Sequence, residues 1–158
     1  MGSGKSSVGR RVARALSVPF TDTDTLVVRD HGQISEVFRT EGEAAFRSYE
    51  EAAVMEGLRT NGVVALGGGA VLSEATRRRI SEHRVVRLTV DEKTIAGRLR
   101  GSKRPLLNAS ADPVAEWTRI KNEREPLYIE VADVVVDTSH GPLQWAVDRI
   151  VEWLKENR

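Results

Sequence analysis

Apolar side chains recur at helical intervals from the first residues of the chain. Val8, Val12 and Leu16 share one face of the segment Lys5 to Leu16, and Arg10, Arg11 and Arg14 lie on others. The pattern predicts a helix whose start contains Gly4 and Lys5. Pro19, Phe20 and Thr21 predict a short extended segment ending at Asp22 and Asp24, and Thr25 to Arg29 is helical again. Thr40 followed by Glu43 has capping-box spacing. The stretch Glu41 to Thr60, carrying Ala45, Tyr49, Ala52, Ala53, Met55 and Leu58, predicts a helix closed by an Asn61-Gly62 turn. Val63 to Leu66 is continuously apolar, as a parallel strand covered on both faces is, and it runs into Gly67, Gly68 and Gly69.

The alternation continues downstream. Ser73 to Glu82 predicts a helix, Val85 to Val90 a strand, and about Asp91 to Arg100 a further helix. From Gly101 to Ala111 neither period persists. A basic patch with Pro105 and small polar residues takes its place, and it predicts a loop suited to act as a lid. Asp112-Pro113 opens a helix to about Tyr128, Val134 to Val136 forms a short buried strand, and Gly141-Pro142 starts a terminal helix. Strands alternating with helices imply an α/β fold of three layers, α/β/α, around an open parallel sheet. Ligands in such folds bind at the carboxyl ends of the strands, where the unusual segments of this chain all fall.

Length and charge narrow the classes. The 158 residues fit one domain, 1–158, with the lid loop at about 101–111. With 24 Lys plus Arg against 23 Asp plus Glu, no overall field favours nucleic acid or an anionic membrane, so anion binding must come from local clusters. The absence of cysteine removes disulfides, thiolate metal sites and thiol catalysis. No apolar run approaches the roughly 18 residues that span a bilayer, so the expectation is a soluble, cytoplasmic protein. His31, His83 and His140 are scattered without metal-ligand spacing, and Arg77, Arg78 and Arg79 face three directions on their helix, as solvated surface does.

Against that background a few segments carry chemistry. Gly4-Lys5-Ser6 has the closing residues of a phosphate-binding loop, in which amides at a helix start cradle phosphate oxygens, the lysine reaches the outer phosphates and the hydroxyl binds magnesium. Gly2, Ser3 and Ser7 flank it; a flexible Gly-Ser terminus is the plain alternative. The full motif has a glycine five residues before Gly4 and a strand before that, whereas Met1 stands three residues before Gly4. The expectation is a start placed too far downstream or a shortened chain, with two sheet edges exposed for want of a central strand. Asp22 and Asp24 at a strand end suit a water-bridged metal and a substrate hydroxyl, or else Asp24 is a helix cap and Asp22 a loop carboxylate. Gly67, Gly68 and Gly69 let backbone approach a ligand, where a tight turn seldom needs three glycines. Arg104, in Arg104-Pro105-Leu106-Leu107, places a cationic fork in the lid, or in an exposed basic loop. Arg124 lies between Glu123 and Glu125 as either a carboxylate-binding fork or a structural ion pair, and Arg47 alone reads as a solvated helix residue.

In order, Gly-Ser-Gly-Lys-Ser, Asp-Thr-Asp, Phe-Arg-x-x-Glu, Gly-Gly-Gly, Arg-Pro-Leu-Leu and Arg-x-Pro-Leu-Tyr resemble the shikimate kinases over Met1 to roughly Val151. The resemblance implies the nucleoside-monophosphate-kinase type of fold, with five parallel strands and a closing lid, and ATP-dependent phosphorylation of shikimate within chorismate and aromatic amino acid biosynthesis. It implies Mg2+ and ATP, a monomer acting on small molecules, Lys5 on the β and γ phosphates, Ser6 and Asp22 on the metal, and Asp24 on the accepting hydroxyl as candidate base. Arg47 and Arg124 match the clamp on the substrate carboxylate, and Gly68 and Gly69 match backbone donors near the reacting hydroxyl. Arg104 matches the lid arginine. On the nucleotide side, with Gly2 to Ser7, the resemblance offers Arg98 or Arg100 for the adenine ring, and Pro142 beside it. The rivals are another small-molecule kinase of this fold, such as a gluconate kinase, and a non-catalytic binding relative.

Overall fold

The structure, a computed structural model, describes residues 2–99 and 111–157. Arg100, Arg104 and nearly all of the expected lid loop lie outside the described residues. Helix α1 (Lys5–Leu16) buries Val8, Val12 and Ala13. It leads to strand β1 (Phe20–Asp22), then α2 (Thr23–His31), α3 (Ile34–Thr40), α4 (Glu43–Gly57) and β2 (Val63–Ala65). A short 3-10 turn (Ala70–Leu72) precedes α5 (Glu74–Ile80), β3 (Val86–Thr89) and α6 (Glu92–Leu99). Helix α7 (Pro113–Val131), β4 (Val134–Asp137) and α8 (Leu143–Glu156) complete the described order.

All the strand pairs are parallel. Phe20, Thr21 and Asp22 of β1 stand opposite Val63, Val64 and Ala65 of β2, and Val86 to Thr89 of β3 stand opposite Val134 to Asp137 of β4. They form two two-stranded sheets instead of one continuous sheet. Between them runs a cavity of about 640 Å³, lined by Val63, Val64 and Ala65 of β2 and by Val86 and Leu88 of β3, with no residue of β1 or β4 on its wall. Among the described residues, the edges of β2 and β3 that carry no strand partner thus face each other across this cavity. Elsewhere the layers are filled. Val8 and Val12 of α1 pack with Val136 of β4 and Ala146, Val147 and Ile150 of α8, and Val27, Val37, Phe46 and Ala53 join α2, α3 and α4.

Several elements depart from the sequence pattern. Helix α3 was not anticipated, although Ile34, Val37 and Phe38 carry its spacing. Thr40 closes that helix and does not cap the next, because its hydroxyl donates to the Glu36 carbonyl at 2.8 Å, and the residue before α4 is Gly42 with φ 88°. Asp112 does cap α7 as expected, accepting from the Val114 and Ala115 amides. Arg78 and Arg79 pair with Glu74 and Glu82 at the surface. Arg77 corrects the reading of that triple: its guanidinium is mostly buried and donates to the Val71 carbonyl at 2.8 Å, tying α5 to the turn that follows the glycines. Gly62 is required where it stands, since a Cβ there would lie 2.2 Å from the Pro19 carbonyl oxygen that receives the Val63 amide.

Candidate active site

The site begins at the start of α1. Gly4 holds φ 85°, which favours glycine, and its carbonyl accepts the Val8 amide at 2.8 Å. No side chain among the described residues caps the helix and its first turn contains no acid, so the start of the helix keeps the positive end that suits a phosphate. Lys5 and Ser3 line the same hollow as Gly67, Gly68 and Tyr128, placing the candidate phosphate loop against the candidate substrate loop.

The Asp-Thr-Asp segment divides three ways. Asp22 ends β1 and caps α2: one carboxylate oxygen accepts the Asp24 amide at 3.0 Å and the other accepts the Ser6 hydroxyl. The capping role that sequence offered to Asp24 thus belongs to Asp22. Thr23 is fully buried at 0% exposure, donates to the Ala65 carbonyl at 3.3 Å and accepts the Gly67 amide at 3.2 Å, which locks the end of β1 to the end of β2. Asp24, which is not the cap, lies toward the glycines; its Oδ1 is 3.1 Å from where a Cβ of Gly67 would be.

The three glycines now have separate reasons. A Cβ on Gly67 would sit 2.5 Å from Glu50 Oε2, and one on Gly69 would sit 2.0 Å from Arg47 Nη1. The Gly68 carbonyl accepts the Tyr128 hydroxyl at 2.6 Å. Backbone therefore passes flush against a charged cluster that any side chain would displace. Arg47 pairs with Glu50 at 2.9 Å and Glu43 at 3.2 Å, yet its buried Nε has no hydrogen-bond partner among the described residues. Arg124 is only 6% exposed and forms no ion pair among the described residues. Its sequence neighbours are engaged elsewhere, Glu125 with Arg87 and Glu123 with Arg119, so the structural ion-pair reading of Arg124 does not hold. The Arg124 guanidinium donates to the Tyr128 hydroxyl oxygen and feels the Glu50 carboxyl, and a buried guanidinium with no close ion pair favours a bound anion.

Glu50 closes the Phe-Arg-x-x-Glu segment and was given no role of its own; it is 2% exposed, and burial pushes its carboxyl above the usual 4.5. Arg47 and Arg124 oppose that rise and Asp24 adds to it. A raised carboxyl holds its proton more tightly in the folded state, so the stability tied to it is complete below pH 4.5 and is lost as pH climbs through the folded-state value. Glu50→Gln is expected to gain stability relative to the native chain as pH rises from about 4 to 7, read from urea midpoints. Parallel curves for the two proteins would show that Glu50 titrates as it does unfolded.

On the other side of the loop, Pro142 precedes α8 and borders a cavity of about 290 Å³ with Thr138, His140 and Trp145. Arg98 points into the loop, donating to the Gly2 carbonyl at 3.0 Å. The structure thus gathers Lys5, Ser6 and Asp22 at one point and Asp24, Arg47, Gly68, Gly69 and Arg124 at another, adjoining one. Among residues given no role from sequence, Thr23, Glu50 and Tyr128 sat inside motifs already noted, whereas Thr138 gave no local signal.

A family model described as shikimate kinase matches residues 1–155. The shikimate kinase of Rhodococcus jostii is 39% identical over 161 aligned residues, spanning 98% of this chain and 94% of its own. That of Corynebacterium efficiens is 41% identical over 158, spanning 99% and 93%. Among solved structures, the shikimate kinase from Acinetobacter baumannii in complex with shikimate superposes with a TM-score of 0.94 at 31% identity, covering 100% of this chain and 90% of that one. The enzyme from Bacteroides thetaiotaomicron gives 0.86 at 30%, covering 98% and 94%.

Proposed function

The chain belongs to the shikimate kinase family, and from that premise we propose how its own residues divide the work of phosphorylating shikimate. The reaction moves the γ-phosphoryl group of ATP to the 3-hydroxyl of shikimate, giving shikimate 3-phosphate and ADP. Such a transfer depends on positioning and on cationic stabilisation more than on covalent participation by the protein. The observation that carries the substrate reading is the buried Arg124, which has no ion pair among the described residues, together with the unsatisfied Nε of Arg47. A substrate carboxylate would supply the missing charge to one and an acceptor to the other. Both arginines then hold the ring so that a hydroxyl meets Asp24 beside Gly68 and Gly69.

For the nucleotide, the amides from Gly2 to Ser7 cradle the phosphates and Lys5 neutralises the β and γ oxygens. The Ser6 hydroxyl and Asp22 carboxylate, bonded to each other, form an all-oxygen pair that fits Mg2+, which usually keeps several waters and takes few protein ligands. When bound there, the ion would offset charge on the phosphates. Arg104 and Arg100, outside the described residues, are assigned to the transferring phosphates and to the adenine side with Pro142, and the loop about them is assigned to closure over the site. No helix among the described residues is long and apolar enough to cross a membrane. A single-domain monomer in the cytoplasm, serving aromatic amino acid biosynthesis through chorismate, completes the reading.

The test is ADP release from Mg-ATP with shikimate or gluconate as acceptor. Shikimate alone should drive turnover, and Arg47→Lys should raise its KM about tenfold or more while leaving the KM for ATP within about twofold, because the planar fork is lost. Equal use of gluconate would move the chain to a sister activity, and an unchanged shikimate KM would remove Arg47 from the clamp.

A further inference from the structure

The segment Gly2 to Gly4 is held from behind by side chains that neither the phosphate chemistry nor the shikimate clamp uses. In the last turn of α6, Arg98 donates through Nη1 to the Gly2 carbonyl at 3.0 Å and to Thr138 Oγ1 at 3.2 Å, and through Nη2 to the Thr138 carbonyl at 2.6 Å. Thr138, just past the end of β4, lies within hydrogen-bond reach of two further carbonyls, Ser3 at 2.8 Å and Thr89 at 3.0 Å. Its single hydroxyl proton goes to one of them, and the arginine proton occupies a lone pair. Thr138 and Ser3 are each 3% exposed, so water does not compete for these groups.

We propose that Arg98 and Thr138 are positioning residues for the nucleotide: by fixing the carbonyls of Gly2 and Ser3 they aim the amides of Ser3 and Gly4 at the phosphates. The reason is the planarity of the trans peptide, in which C=O and N–H of one unit point in opposite directions. A carbonyl pulled toward Arg98 and Thr138 turns the N–H of the same unit to the far side, where the hollow holding Lys5 opens. The guanidinium charge further polarises the peptide unit it contacts and strengthens its donor. Glycine at position 2, with φ 69°, permits the turn this requires. The arrangement rests on the phosphate-loop reading above, and it gives Arg98 a task distinct from stacking on the adenine ring, which the resemblance had offered to it or to Arg100.

Thr138→Val removes the hydroxyl with little change in shape. Direct binding of a fluorescent ADP analogue and of inorganic triphosphate is measured for the native chain, Thr138→Val, Thr138→Ser, Arg98→Gln and the double variant, with melting temperature alongside. Binding of both probes should weaken roughly tenfold or more in Thr138→Val and in Arg98→Gln, as the loss of a buried or charged hydrogen bond implies. Thr138→Ser should retain native affinity, and the double variant should be no worse than the poorer single, as members of one network behave. KM for shikimate should stay within about twofold. Loss of analogue binding in Arg98→Gln with triphosphate binding intact would overturn the proposal in favour of base stacking. Native affinity in Thr138→Val overturns it outright. These readouts do not depend on turnover, so an inactive protein that still binds triphosphate would count against the kinase reading and not against the loop anchor.

Discussion

Asp24→Asn should lower kcat by roughly 10²- to 10⁴-fold, the range that general base groups contribute, with the fold intact and the melting temperature equal to or above that of the native chain. The first half follows from placement. Asp22 takes the capping bond and the Ser6 hydroxyl, which leaves the Asp24 carboxylate turned toward Gly67 at the place where an accepting hydroxyl would stand beside the phosphate loop. Asparagine keeps the shape and loses the proton acceptor. The second half follows from Glu50, whose carboxyl is pushed up by burial and pushed further by the negative charge of Asp24. Removing that charge relieves a repulsion between two acids in one pocket, so the variant should not lose stability as activity falls. Shikimate-dependent kcat and a thermal melt in the same buffer check both halves. Native turnover would take the base role from Asp24, and a lower melting temperature would mean that its carboxylate holds the fold.

How much of this site could be read in the sequence depends on whether the contacts that make it are local. Asp22 and Asp24 sit two apart on a strand end. The three glycines follow an apolar strand, and Lys5 opens an amphipathic helix, so pattern alone placed them at strand ends. The partners that decide what those residues do are far away in sequence. Tyr128 meets Gly68, Thr138 meets Ser3, and Arg98 meets Gly2, each across a span that no helical or strand period can report. Arg47 shows the limit well. As one arginine on an amphipathic helix it reads as solvated, and the resemblance, not the period, marked it; the nearness of Gly69, which has no side chain to exclude it, shows its guanidinium against the glycine loop. Arg77 was misread for the same reason, since its carbonyl partner belongs to the turn after the glycines. The short helix α3 escaped because seven residues give barely two turns of period, and Thr40 was assigned to the wrong helix because its hydroxyl can serve either end.

An apolar segment of four or five residues supplied to the cavity between β2 and β3, either joined ahead of Met1 through a glycine turn or added as a peptide, should raise the melting temperature by roughly 10 °C or more. The facing strands are three and four residues long, and at about 3.3 Å per residue a segment of that length runs along both. It would lie parallel to β2 and β3, because a two-sided parallel sheet is the arrangement both edges already have with their other neighbours. Its N–H and C=O groups would pair on both sides, and its side chains would pack against Val8 and Val12 of α1, which line the cavity. Burying each Val or Leu contributes about 1.5–3 kcal/mol, which roughly offsets the entropy of ordering the residue, so the net gain comes from the ladder hydrogen bonds at about 0.5–1.5 kcal/mol each. A version with proline at alternate positions keeps the apolar volume but removes ladder donors, and it should give little of the gain. Equal melting temperatures for the two versions would show that volume and not strand pairing is what the cavity accepts; no change from either would mean that β2 and β3 close on each other in solution, and the loop would then depend on Arg98 and Thr138 alone.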